Sequence, residues 1–279
     1  MVPAEMQQMN IAFVGGGNMG AALIGGLLKH GWPAQSIAAV DIDERTREHL
    51  ARDIGVRVYA DAGPAVATAQ CVVFAVKPQH LRESARTVAP LIKAHLVISI
   101  AAGIRAGDLS RWLLGHRRIV RAMPNTPALV QAGMTGLYAL PGISGEDRAL
   151  AEKVLGAASE TLWVQNEAMM DTITAVSGSG PAYVFYFLEA LQHAALEQGF
   201  APAAARRLAL TTFTGALKLA AESADAPEVL RARVTSKGGT TERAIAYLER
   251  YSVRQHIVAA VAAATERSRE LGDELGRDA

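Results

Sequence analysis

The sequence predicts an α/β N-terminal domain with a doubly wound parallel sheet, followed by an all-α C-terminal domain. Short apolar runs alternate with amphipathic stretches through the first half of the 279-residue chain. From about Ala182 onward the pattern is helical, with almost no strand signal. Continuous apolar runs separated by helices indicate parallel strands that are buried on both faces. We place the two domains at residues 1–165 and 166–279, which are ordinary domain sizes.

The individual elements follow from these runs in chain order. The predicted strands are Ile11–Val14, Ile37–Val40, Val56–Tyr59, Val72–Val76, Val97–Ile100 and Arg118–Arg121. The predicted helices are Met19–His30, Glu44–Asp53, Tyr183–Gln198, Ala203–Ser223, Glu242–Arg250 and Arg254–Leu271. Because no long linker separates the two halves, we expect the domains to pack directly and to form a ligand cleft between them.

Composition excludes several function classes. The formal net charge is +1, so the chain lacks the basic footprint of a nucleic-acid or anionic-membrane binder. Its seven histidines are scattered and its one cysteine, Cys71, lies in an apolar run, so we predict no metal site and a buried structural thiol. No apolar run approaches the ~18 residues that span a bilayer. Met1–Met9 lacks the pattern of a signal peptide, and we expect a cytoplasmic protein.

The most distinctive local pattern is Gly15-Gly16-Gly17-Asn18-Met19-Gly20, which fits G-x-G-x-x-G. A predicted strand precedes it and a helix and a second strand follow, which is the context that the motif requires. Gly15 makes the tight turn, Gly17 lets the backbone approach a pyrophosphate, and Gly20 allows close helix–strand packing. The helix N-terminus faces the phosphates with unpaired N–H groups. We predict a Rossmann-like domain that binds NADPH or NADH through Gly15, Gly16, Gly17, Asn18, Met19 and Gly20.

Asp41 ends the second strand, 21 residues after Gly20. An acid at this position accepts hydrogen bonds from the adenosine ribose and repels a 2′-phosphate, which favours NADH. Arg45 and Arg47 lie just beyond it and could reach a phosphate, so NADPH remains an alternative. Asp41 and Asp43 could also simply cap the charged helix that starts near Glu44.

Three further segments follow predicted strands and therefore belong to the ligand-binding edge of the sheet. They are Ala75-Val76-Lys77-Pro78, Ser99-Ile100-Ala101-Ala102-Gly103 and Met123-Pro124-Asn125-Thr126-Pro127. Lys77 and Asn125 supply the polar groups there. We predict cofactor contacts from Val76, Lys77, Pro78, Ala101 and Asn125, although a solvated surface lysine is the common alternative for Lys77.

Two glycine-rich segments precede helices in the second half. They are Ser177-Gly178-Ser179-Gly180-Pro181 and Thr235-Ser236-Lys237-Gly238-Gly239-Thr240-Thr241. Small residues at a helix start form a nest of backbone N–H donors that suits a carboxylate. Helix capping by Ser and Thr would explain either segment alone. Because both occur in one helical domain after a dinucleotide domain, we predict a substrate site that includes Ser177 and Gly178.

Over nearly its whole length the sequence resembles the pyrroline-5-carboxylate reductase family. The matching segments are Ile11–Met19, Ala75–Pro78, Ser99–Gly103, Met123–Pro127, Ala175–Tyr183 and Arg233–Thr241. The last of these resembles the family signature and is the most specific. Many members carry proline where this chain has Lys237, a departure that bears on the stiffness of the loop and leaves the Gly-Gly-Thr-Thr core intact.

The resemblance implies reduction of 1-pyrroline-5-carboxylate to L-proline by NAD(P)H, the last step of proline biosynthesis. It implies that Gly239 and Thr240 offer backbone N–H groups to the substrate carboxylate and that the Thr241 hydroxyl hydrogen-bonds the ring nitrogen. Thr241 and Ser236 are the expected catalytic positions. Glu167 matches an acidic position near the substrate amine, and Arg233 matches a position near the nicotinamide.

Three other functions stay open at this stage. A β-hydroxyacid dehydrogenase shares the domain order but uses a lysine of its helical domain, and this chain has none between Lys153 and Lys218. A related cyclic imine reductase that acts on other rings also stays open, because the sequence does not give the size of the cleft. A non-catalytic nucleotide-sensing protein could keep the fold, but it would not need a carboxylate nest.

The helical domain also carries an expectation about assembly. Its Ala/Leu-rich helices offer more apolar faces than a domain of this size needs, and the run Val258–Ala264 has side chains small enough for close helix packing. The alternative is an internal core helix. The family resemblance implies a homodimer, or a larger homo-oligomer, through the helical domain.

Overall fold

The computed structural model describes residues 9–277. Most of the Met1–Met9 segment, for which we predict no signal peptide, lies outside the described residues. The N-terminal half folds around one eight-stranded sheet. Its strands are β1 (Ile11–Val14), β2 (Ile37–Val40), β3 (Arg57–Tyr59), β4 (Cys71–Phe74), β5 (Leu96–Ser99), β6 (Ile119–Met123), β7 (Gly133–Ala139) and β8 (Ser159–Trp163).

The strand order is β3-β2-β1-β4-β5-β6-β7-β8, and β1 through β6 are all parallel. The chain therefore winds outward in both directions from β1, which confirms the predicted Rossmann-like fold class. The prediction of a purely parallel sheet is wrong at one edge, because β7 runs antiparallel to β6 and β8 pairs parallel with β7. Residues 124–132 are too few for the crossover of a dozen or more residues that a parallel neighbour requires.

Twelve α-helices surround or follow the sheet in the described part of the chain. In the N-terminal half they are α1 (Asn18–Lys29), α2 (Glu44–His49), α3 (Gly63–Val66), α4 (Pro78–Val88), α5 (Ala106–Trp112), α6 (Gly145–Gly156) and α7 (Met169–Ile173). In the C-terminal half they are α8 (Gly180–Glu197), α9 (Pro202–Glu222), α10 (Pro227–Arg233), α11 (Thr240–Arg250) and α12 (Val253–Gly276). Local sequence explains several boundaries: proline occupies the first turn of α4, α9 and α10, and Gly199 adopts a φ of +92° after α8.

Alternation along the strands builds a separate apolar layer on each face of the sheet. Ile11 and Phe13 of β1 pack into one layer, and Ala12 and Val14 pack into the other. Cys71 is fully buried in the first layer, and burial raises the pKa of its thiol. Because both faces are covered, the strand ends are left as the edges at which ligands can approach.

The chain forms two compact units rather than two consecutive halves. One consists of the residues up to Ser179 together with those from Ala264 onward, and the other is Gly180–Ala263. The domain boundary that we place between residues 165 and 166 stays a prediction. Helix α12 contributes residues to both compact units.

Polar contacts fix the C-terminal part of α12 within the first unit. Ser268 donates to the buried carboxylate of Asp171 at 2.8 Å, and Arg105 pairs with Asp273 at 2.6 Å. At the end of the helix, the Gly276 carbonyl accepts from Arg111 at 2.7 Å. Cationic side chains at a helix C-terminus are also favoured by the helix dipole.

None of the helices within residues 9–277 combines the length and the apolar character that a membrane-spanning helix needs. The same part of the chain holds no group of three or more His, Cys, Asp or Glu side chains placed to bind a metal ion.

Candidate active site

The glycine turn between β1 and α1 has the geometry that the motif predicts. Gly15 has a φ of +103°, and a Cβ there would lie 2.7 Å from the Ala75 carbonyl. A Cβ on Gly20 would lie 2.6 Å from the Gly15 carbonyl oxygen, so α1 packs directly on the turn. A Cβ on Gly17 would meet no described atom within 4 Å, and no side chain caps α1. The first turn of α1, which begins with Asn18 and Met19, therefore leaves room and N–H donors for a phosphate group.

A cleft of about 710 Å³ opens at the carboxyl ends of the central strands. The predicted cofactor residues Gly15, Gly17, Asp41, Val76 and Lys77 line it. Lys77 is the N-cap residue of α4 and Pro78 is the first residue of that helix. The volume, the glycine turn and the acid at the end of β2 together fit the adenosine and pyrophosphate parts of a dinucleotide.

Asp41 and Asp43 have different roles, although both follow β2. The Asp41 carboxylate accepts the Gly16 N–H at 2.7 Å and the Asp43 N–H at 2.9 Å, so it joins β2 to the glycine turn. Asp43 caps α2 by accepting the Thr46 N–H and hydroxyl, and the Thr46 hydroxyl in particular lowers the pKa of the Asp43 carboxyl. The helix-capping alternative thus describes Asp43 but not Asp41.

Asn125 connects two segments that the sequence assigns to different ligands. Its amide nitrogen donates to the Ser177 carbonyl at 3.1 Å and to the Ser177 hydroxyl at 3.2 Å. Its amide oxygen accepts the Met134 N–H at 2.9 Å. The structure thus brings a predicted cofactor residue next to a predicted substrate residue, and it holds the Asn125 side chain through three hydrogen bonds. Ala101, another predicted cofactor residue, is buried just after β5.

Ser177 and Gly178 lie in one turn of π-helix, Thr174–Gly178, between α7 and α8. A Cβ on Gly178 would lie 2.6 Å from the methyl carbon of Met123 at the end of β6. Because this methyl group is the far end of a flexible side chain, a larger residue at position 178 would have to displace it. Single π-helical turns inside helices occur frequently at functional sites.

Glu167 has partners within the first unit. Its Oε1 atom accepts the Ala106 N–H, at the start of α5, at 2.7 Å and pairs with Arg121 Nη1 at 3.1 Å. The Arg121 side chain is only 5% exposed. Sequence reasoning missed Arg121, although a charged residue inside the apolar run of β6 was a signal, because a buried charge requires a partner.

In the second unit, the signature loop forms a tight turn before α11. The Gly239 N–H donates to the Ser236 carbonyl at 3.0 Å, and Gly238 has a φ of +72°. The Gly238 N–H donates to Glu242 at 2.7 Å, a contact that the sequence did not suggest. Among the residues that the structure describes, no side chain caps α11, which begins at Thr240. Because the Gly239 N–H is used within the turn, Thr240 is the predicted backbone donor that remains for a carboxylate.

Arg233, the last residue of α10, pairs with Asp225 at 2.5 Å in the second unit. Its side chain stays 62% exposed. In the sequence, Arg233 shortly precedes the loop Thr235–Thr241. The predicted contact of Arg233 with the nicotinamide stays a prediction.

The chain matches two family models. The model described as "Pyrroline-5-carboxylate reductase dimerisation" matches residues 167–271, and the model described as "NADP oxidoreductase coenzyme F420-dependent" matches residues 10–103. The pyrroline-5-carboxylate reductase of Pseudomonas aeruginosa is 42% identical over 273 residues, which cover 98% of this chain and 100% of that protein.

Solved structures give the same picture. A pyrroline-5-carboxylate reductase from Coxiella burnetii superposes with a TM-score of 0.89 at 37% identity, covering 94% of this chain and 98% of that one. The Plasmodium falciparum pyrroline carboxylate reductase with NADP bound has a TM-score of 0.85 at 26% identity, covering 96% of this chain and 99% of that one.

Proposed function

The chain belongs to the pyrroline-5-carboxylate reductase family, and we propose that it reduces 1-pyrroline-5-carboxylate to L-proline with NADH or NADPH. The observation that carries the proposal is the presence of two complementary sites on one chain. The first is the cleft lined by Gly15, Gly17 and Asp41, and the second is the uncapped first turn of α11 at Thr240 and Thr241. A dinucleotide and a small carboxylate are the ligands that suit them.

When bound, the reduced nicotinamide supplies a hydride, which with one proton converts the C=N bond of the ring imine into the C–N bond of proline. The chain's residues bind and orient. The first turn of α1 holds the pyrophosphate, and Asp41 accepts from the adenosine ribose. Val76 and Lys77 line the nucleotide site just before α4, and Pro78, the first residue of that helix, completes the proposed cofactor group.

The substrate roles fall mainly to the signature loop. The Thr240 N–H donates to the carboxylate, and the Thr241 hydroxyl oxygen accepts from the protonated ring nitrogen. Ser236 fixes the loop through its carbonyl, which accepts the Gly239 N–H. Glu167, Ser177 and Gly178 are the further residues that we propose for substrate binding.

This chemistry does not require a His/Asp dyad. A protonated ring imine is already an electrophile, so the protein's task is to position the ring carbon and to fix the carboxylate. Such positioning can lower a barrier by ~7–11 kcal/mol. The rival β-hydroxyacid dehydrogenase reaction needs a lysine in the helical domain, and α8 contains none.

The proposal includes a homodimer, or a larger homo-oligomer, through the helical unit. Of the residues Gly180–Ala263, only Ala205 and Ala209 are buried in the single chain. Large apolar side chains such as Phe185, Tyr186 and Leu219 are more than 60% exposed. An apolar surface of this kind marks a protein–protein interface. We also place the enzyme in the cytoplasm, where a single buried cysteine needs no disulfide partner.

The test is steady-state oxidation of NADH, and separately of NADPH, with 1-pyrroline-5-carboxylate as substrate and proline identified as product. A β-hydroxyacid with the oxidised cofactors serves as the control reaction. Turnover to proline without β-hydroxyacid oxidation supports the proposal. Binding of nucleotide without any turnover would favour the nucleotide-sensing alternative.

A further inference from the structure

The nucleotide cleft is acidic on the side where β2 and β3 end. Asp41, Asp43 and Asp61 all line this side, and Lys77, the N-cap residue of α4, also lines the cleft. When the pyrophosphate of a dinucleotide binds at the glycine turn, the hydroxyl groups of its adenosine ribose lie near the end of β2. A 2′-phosphate there would add a charge of about −1.5 to −2 among these carboxylates.

Asp41 cannot easily turn away from such a phosphate. Its two carboxylate oxygens accept the Gly16 and Asp43 N–H groups at 2.7 and 2.9 Å. An ionised carboxylate offers about four acceptor positions, so two remain for ribose hydroxyls. The side chain is therefore fixed in an orientation that can accept from a 2′-hydroxyl but has no proton to donate to a phosphate.

The two arginines that could compensate are placed elsewhere. Arg47 donates through Nη1 to the carbonyls of Asp41 and Ile42, at 2.8 and 2.9 Å. Arg45 lies on the exposed surface of α2. Neither is among the described residues that line the cleft. The usual guanidinium partner of a 2′-phosphate is thus missing from the lining.

We propose that Asp41 makes this enzyme selective for NADH over NADPH, by accepting from the adenosine 2′-hydroxyl and excluding a 2′-phosphate. The inference rests on the proposed function only in that the cleft holds a nicotinamide dinucleotide. It concerns the adenosine end of the cofactor, so it can be measured without any hydride transfer.

The test is calorimetric titration of the full-length protein with ADP-ribose and with 2′-phospho-ADP-ribose, two probes that differ only in the phosphate. We expect wild-type protein to bind ADP-ribose at least tenfold more tightly. Asp41→Asn should bring the affinities for the two probes to within threefold of each other, because the substitution removes the negative charge of the side chain and keeps its size. Asp53→Asn is the matched control, since Asp53 is an exposed carboxylate that pairs with Arg52 and His49 and does not line the cleft.

Equal or tighter binding of 2′-phospho-ADP-ribose by the wild-type protein would overturn the inference. An equal change in Asp53→Asn and Asp41→Asn would also overturn it, because net charge rather than the position of Asp41 would then set the ratio. If Asp41→Asn does not fold, the ratio of the two affinities in the wild-type protein and in Asp41→Ser tests the inference instead. A preference for ADP-ribose in a protein without turnover would support the inference while contradicting the proposed function.

Discussion

The Arg121 guanidinium lies 3.1 Å from the Glu167 carboxylate, and the same oxygen accepts the Ala106 N–H at 2.7 Å. The pair joins the middle of β6 to the start of α5 and to the segment before α7. Removing one partner leaves the other charge unpaired in a mostly buried place, which is strongly destabilising.

We expect Arg121→Met to lower the free energy of unfolding by ~3 kcal/mol. The Arg121→Met/Glu167→Gln double variant should lose less than the sum of the two single losses, because the charges are removed together. Urea denaturation of the four proteins measures this coupling. Strict additivity of the two losses would mean that the ion pair contributes nothing.

A second ion pair gives the fold a dependence on acid pH. Arg118 binds Asp147 through two nitrogens, at 2.6 and 3.1 Å, and this contact lowers the pKa of the Asp147 carboxyl from its ordinary value of 3.8. The pair therefore stabilises the native state fully above that value, and the stabilisation disappears as the pH falls through the lower native pKa.

Asp147→Asn should accordingly reduce the free energy of unfolding at pH 7 by about 1–2 kcal/mol, a modest value because Arg118 is partly exposed. The difference from wild type should shrink between about pH 5 and pH 2. Thermal unfolding across this range checks the prediction, with Glu160→Gln, a change at an exposed carboxylate of β8, as the control. A difference that is constant with pH would show that the carboxylate charge is not involved.

Thr241 is the position at which we expect the largest catalytic effect of a small change. Thr241→Ala should reduce kcat by about 10–100-fold, since hydrogen bonds to charged groups contribute about 1.5–3 kcal/mol. Binding of ADP-ribose should not change, because the nucleotide cleft is lined entirely by other residues. Thr241→Ser keeps the hydroxyl and should keep most of the activity. Wild-type turnover of Thr241→Ala would remove this hydroxyl from the mechanism.

Lys237 occupies the second position of the turn Ser236–Gly239, and Gly238 at the third position has a positive φ. This is the arrangement of a type II turn, in which proline is common at the second position. Lys237→Pro should therefore raise the stability of the helical unit by ~0.4–1 kcal/mol through the unfolded state. Scanning calorimetry detects the shift, and kcat/KM should stay unchanged. Destabilisation would show that the turn needs the flexibility or the charge of lysine.

The exposed aromatic side chains of α8 give a prediction about assembly. Phe185→Asp should shift the protein toward smaller species in sedimentation velocity, because a buried interface charge without a partner opposes association. Arg207→Asp serves as the comparison, because it introduces the same aspartate side chain at a position of α9 that is exposed and already polar. A wild-type protein that sediments as a monomer would contradict the proposed homo-oligomer.

Much of the fold could be predicted from sequence because β1, β2, β4 and β5 are short, buried and almost wholly apolar runs. The last two strands were missed for physical reasons. Gly133 and Gly136 weaken the strand signal of β7, yet a Cβ on either would lie within 2.5 Å of Ser159 or Ile173. In β8, buried and exposed positions mix polar and apolar residues, so the run lacks a clear pattern.

The candidate site was predictable where a motif fixes backbone geometry, as at Gly15 and Asp41. It was not predictable where distant residues meet. Arg105 pairs with Asp273, 168 positions away, and no sequence pattern near either residue predicts that contact. The contact of Glu242 with Gly238 is local, but it depends on the conformation of the turn Ser236–Gly239, which the sequence analysis did not specify.

The most direct test of the proposed reaction follows the hydride itself. The protein is incubated with 1-pyrroline-5-carboxylate and NADH deuterated at the transferable C4 position, and the product is examined by mass spectrometry and NMR. The proposal predicts proline with one deuterium at the ring carbon that was the imine carbon. Absence of proline, or proline without that deuterium, would contradict it.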